Sequence, residues 1–162
     1  MKKIILFSVS LFIALCLGVT CVFAAQYTKF SRQFIKNFKD CDSYEETITT
    51  NFQGSNFTTF RKIIGWRNGF CRYQEVISSA EGKYKLNCMF TDVQLDELYN
   101  SMKNKSKKTE TYNLELFSTK VDEKTGKTDY VKTGSTVIKG NKAYIVWAKY
   151  QNNPYFCTPE KL

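Results

Sequence analysis

Four cysteines bound what this chain can become. Cys41, Cys71, Cys88 and Cys157 are widely spread, no two lie in a C-x-x-C spacing, and the chain has no histidine. Zinc sites draw on thiolates and imidazoles at close spacing, so the set does not read as a metal centre, and no cofactor fingerprint accompanies it. An even set of distant cysteines reads instead as two disulfides, with three connectivities open.

Disulfides need an oxidising compartment, and the N-terminus supplies a route to one. Lys2 and Lys3 precede an apolar run from Ile4 to Phe23, and Val22 and Ala24 fill the −3 and −1 positions of a small-residue cleavage site. Basic, apolar and small in that order is a cleavable secretory signal, here residues 1–24, which takes Cys16 and Cys21 with it. An uncleaved anchor is the rival, since the run approaches the ~20 residues a bilayer needs. The cleavage site, and the lack of a charged stop after Phe23, favour cleavage, which leaves no transmembrane segment. The destination is then the periplasm or the extracellular space. The dilysine start and the Lys- and Asn-rich composition point to a bacterial envelope. Acceptor patterns at Asn56-Phe57-Thr58 and Asn104-Lys105-Ser106 matter only in a eukaryotic secretory route.

The remainder, residues 25–162, is one domain's worth of chain, long enough to bury a core. Tyr27, Phe30, Phe34, Phe38 and Cys41 recur at steps of three and four with Lys29, Arg32, Lys36 and Lys39 between them, which predicts an amphipathic helix. Strands are predicted over 44–52 and 57–67. Asn68-Gly69 then marks a type I′ hairpin, since both residues tolerate positive φ. Closing there pairs Trp66 with Cys71, Ile64 with Tyr73, Lys62 with Glu75 and Phe60 with Ile77. That register puts Phe60, Ile64 and Trp66 on the buried face and Arg61 and Ile63 on the open one. A further strand over 83–90 places Cys71 and Cys88 on one face of neighbouring strands, so the preferred disulfides are Cys71–Cys88 and, by elimination, Cys41–Cys157.

Thr91 and Gln94 form a capping box for a second helix over 92–102. Strands over 111–119, 129–139 and 142–150 follow, and the tail from Asn152 reads as irregular. The sum is an α+β domain: an antiparallel sheet of six to seven strands, with an N-terminal and a central helix on one face.

No catalytic constellation survives inspection. Nucleophilic catalysis most often needs a histidine base, and neither a G-x-S-x-G elbow nor a serine with a lysine three positions on is present. Gly126-Lys127-Thr128 resembles the end of a phosphate loop, but Val121 stands where its first glycine belongs. Asp40, Asp42, Glu45 and Glu46 crowd Cys41 without calcium-loop spacing.

The remaining signal is charge. Loss of Lys2 and Lys3 lowers the formal net charge from +9 to +7. Cations draw a domain to anionic surfaces. Lys103, Lys105, Lys107 and Lys108 crowd the end of the second helix, where they also complement its dipole. Arg61, Arg72, Lys83 and Lys85 fall on the predicted open sheet face and form the candidate binding set. Only Phe70 adds an aromatic ring there, which disfavours nucleic-acid binding by stacking. The expected function is a non-catalytic exported binding protein for an anionic envelope polymer, a membrane surface or another exported protein. Two other classes stand beside it: a glycan hydrolase using two carboxylates from Asp42, Glu45, Glu46 and Glu75, and an inhibitor or interaction module presenting an edge strand.

Overall fold

The computed structural model describes residues 29–162 apart from 53, 54, 81, 107, 123, 124, 126 and 127. The signal segment 1–24, Lys107 and the Gly126-Lys127 pair lie outside the described residues. Among those described, a five-stranded antiparallel sheet, a two-stranded antiparallel ribbon and three helices make an α+β fold.

Helix α1 spans Arg32–Asp40. Ser31 caps it by accepting from the Phe34 amide, and Cys41 ends it in the left-handed region at φ 57°. Phe34 and Phe38, one turn apart, are wholly buried. The sheet begins as a meander: β1 (Tyr44–Phe52), β2 (Ser55–Arg67), β3 (Phe70–Ser79) and β4 (Gly82–Phe90). Asn68 and Gly69 close β2 onto β3 with φ values of 52° and 77°, the two positive angles a type I′ turn demands.

The hairpin keeps its predicted register only as far as Gly65. Trp66 opposes Cys71 and Gly65 opposes Arg72 as expected, but a bulge at Ile64 then sets Ile63 against Tyr73 and Arg61 against Glu75. One extra residue exchanges the two faces of everything before it. Ile63 is therefore wholly buried, Ile64 is 37% exposed, and Arg61 turns inward rather than outward. Gly65 makes the bulge possible: its φ of 110° strains any L side chain, and the Cys41 carbonyl lies 3.7 Å from where a Cβ would stand.

Two further elements differ from the sequence expectation. Residues 142–150 form a helix, α3 (Lys142–Gln151), not a strand. Asn141 caps it by accepting from the Tyr144 amide, and Ala143, Ile145, Val146, Trp147, Ala148 and Tyr150 are all buried. A run apolar on nearly every side carries no period to separate helix from strand. The tail is not irregular throughout, for Cys157–Lys161 forms β7 at the sheet edge beside β4, giving the order β1-β2-β3-β4-β7.

These elements also correct the disulfides, which join Cys41 to Cys71 and Cys88 to Cys157. In the β3–β4 register Cys71 opposes Phe90 and Cys88 opposes Tyr73, so the two cysteines are diagonal, not opposite. The end of α1 brings Cys41 over Cys71, with 5.8 Å between Cα atoms. Strand β7 sets Cys157 directly across from Cys88, at 4.0 Å.

Helix α2 (Asp92–Lys103) starts in the predicted capping box, with both the Thr91 and the Gln94 bonds in place. All three helices pack on the inner face of the sheet. Their meeting point is an aromatic cluster in which Trp147 lies 5.3 Å from Tyr73 and 5.4 Å from Phe38, with Phe34 and Phe90 beside it. The ribbon, β5 (Glu110–Val121) with β6 (Thr128–Gly140), leans on α3 and buries Leu114.

Candidate binding face

With every helix on the inner side, the outer side of the five-stranded sheet stays uncovered. Strand registers arrange it in rows: Lys62, Gln74, Asn87 and Thr158 in one, and Phe60, Val76, Lys85 and Glu160 in the next. Thr58, Ser78 and Lys83 form the row beyond, and Arg72 stands beside Met89 at the opposite end. Two shallow depressions of about 370 and 340 Å³ lie on this face. Phe60, Val76, Ser78 and Lys83 line the first; Ile64, Arg72, Asn87 and Met89 line the second.

Three of the four predicted binding residues share this face. Arg72 and Lys83 make no ion pair among the described residues. Lys85 meets Glu160 at 2.6 Å, an exposed carboxylate held below its ordinary value by the Lys85 hydrogen bond and, more weakly, by Asn87. Such a surface pair is weak, so Glu160 restrains Lys85 only slightly. The side chains of Gln74 and Asn87, hydrogen-bonded at 3.0 Å, hold the centre of the face flat and uncharged.

The fourth residue, Arg61, belongs to the opposite side. Its guanidinium lies 3.7 Å from Glu46 and 3.9 Å from Glu75, and it stacks 4.6 Å over the Phe30 ring. Oε2 of Glu75 accepts from the Tyr73 hydroxyl at 2.7 Å and from the Gln151 amide at 2.8 Å. Burial raises the Glu75 carboxyl above its ordinary value, against the opposing pull of Arg61 and these two donors. Burial, reinforced by Glu75, raises the Tyr73 hydroxyl well above its own. Across the same row, Glu46 accepts from the Ser31 hydroxyl at 2.5 Å.

Of the four carboxylates considered for hydrolysis, Glu46 and Glu75 therefore converge on Arg61 under α1 and Phe30, and neither lines either depression. Asp42 and Glu45 are exposed, and Glu45 pairs with Lys62 at 3.2 Å. The meeting of Arg61 with Glu75 escaped the sequence reading because it depends on the bulge, whose one local trace is Gly65, a lone glycine within a strand pattern, and Gln151 escaped it because its helix was read as a strand. Compared with known protein families, curated proteins and solved structures, the chain matches none.

Proposed function

We propose that this protein is an exported, non-catalytic binding module that presents the open face of its five-stranded sheet to an anionic component of a bacterial envelope. The observation that carries this reading is the asymmetry of the sheet. Three helices cover one face, while the other holds Arg72 and Lys83 unpaired, Lys85 behind an exposed carboxylate, and both depressions. Two disulfides and the signal pattern support export, and among the described residues no helix is long and apolar enough to cross a membrane.

Long-chain polyphosphate, titrated calorimetrically at low salt, is the simplest probe. The double charge reversal R72E/K83E is expected to weaken binding at least about ten-fold and to flatten its salt dependence. Unchanged, salt-insensitive binding by that variant sinks the reading.

A further inference from the structure

The exposed flank of α1 carries a second cationic feature, independent of the sheet face. Arg32, Lys36 and Lys39 sit at i, i+4 and i+7, so they line one side of the helix, directly opposite buried Phe34 and Phe38. Lys29, just before the cap, is exposed as well. None of these four makes an ion pair among the described residues. Asp40 and Asp42 close the row only at the helix end.

Helix physics accounts for Lys39, in the last turn, but not for Arg32. A helix N-terminus carries partial positive charge and favours carboxylates in the first turn. Here the first turn holds no acidic residue, and Arg32 occupies its first position. Glu46 approaches that end through Ser31 but faces Arg61 on the inner side. Arg32 is thus an unpaired cation where it slightly weakens its own helix, the kind of local conflict that marks a functional surface.

We infer that this flank of α1 is a peripheral docking surface for an anionic phospholipid bilayer. The row is straight and rigid, and lies along a convex helix rather than in a groove, which suits a plane of headgroups more than a polymer that must be gripped. Sequence continuity points the same way. On the export reading, which this inference shares with the proposed function, the apolar run that leads the chain across a bilayer ends at Phe23, six residues before Lys29. Because the helices cover the inner face of the sheet, a domain resting on α1 turns its open sheet face away from the lipid.

The test uses the chain from Ala25 onward, which contains every described element, with vesicles of phosphatidylcholine alone or mixed with phosphatidylglycerol. Binding to the mixed vesicles only, and release at high salt, are expected. The triple reversal R32E/K36E/K39E is expected to lower partitioning about a hundred-fold without lowering the melting temperature. R72E/K83E is expected to leave vesicle binding unchanged, which separates failure of this proposal from failure of the sheet-face reading. Equal binding to both vesicle types, or full binding by the triple variant, overturns the inference. So does loss of triple-variant binding to soluble polyphosphate alone, with no vesicle binding by the parent, which assigns the flank to a polymer.

Discussion

Glu75 shows how far one residue's chemistry depends on its neighbours. Paired with Lys62 in the predicted register, it opposes Arg61 instead, on the inner face, nearly closed to solvent between Arg61, Tyr73 and Gln151. A buried carboxylate and guanidinium stabilise a fold little in net terms, because both lose hydration; the larger effect is the cost of leaving either alone. Glu75 is also the group through which pH acts on the inner face. Its folded value is raised by burial, so the folded state binds its proton more tightly than the unfolded chain does. The stability this contributes is whole below the ordinary carboxylate range and is lost as pH rises through the raised value. Glu75→Gln is expected to abolish that decline in urea-unfolding free energy measured across a pH series. A decline of the same size in the variant assigns the effect to another group.

Among the elements, those with a clean period or an explicit cap were legible in the sequence. The Asn68-Gly69 turn and the Thr91/Gln94 capping box state their structure locally and form as predicted, and of the predicted aromatic stripe Phe34 and Phe38 lie in α1, Phe30 precedes its cap, and Tyr27 lies outside the described residues. The misses share a different cause. Residues 142–150 are buried on most sides and lose the polar alternation that reports a helix, which leaves the Asn141 cap as their local start signal. Strand β7 exists because β4 offers an edge, which no local pattern in Thr158-Pro159-Glu160 announces. The candidate face was legible for Arg72, Lys83 and Lys85, which lie beyond the bulge, and wrong for Arg61, which precedes it. The bulge itself can be tested by its arithmetic. Deleting Ile64 leaves Ile63 opposite Tyr73 and Gly65 opposite Arg72, so the inner face survives. The deletion is expected to cost less than Ile63→Ala, whose buried side chain is worth about 2–5 kcal/mol. If deletion unfolds the protein while Ile63→Ala is mild, the register is not what sets these faces.

For the whole molecule, the two disulfides divide the work of holding a long chain closed. Cys41–Cys71 fastens α1 to the sheet across 30 residues, and Cys88–Cys157 fastens the C-terminal strand across 69. Loops of that size correspond to about 4 kcal/mol each in chain-entropy terms. Replacing Cys88 and Cys157 by serine is expected to lower the unfolding free energy by about 2–5 kcal/mol and to make the last residues the first site of proteolysis. A loss below ~1 kcal/mol would mean that packing of Tyr150 and Phe156 already anchors the tail. The crosslinks also fix how the domain bears load. Under tension applied at its two ends, force enters along α1, crosses at Cys41–Cys71 into β3 and β4, and leaves through Cys88–Cys157. Residues 42–70 and 89–156 are bypassed, so β1, β2, α2, the ribbon and α3 carry no pull, and only a short stretch of chain can pay out. Such a domain lengthens little when tugged.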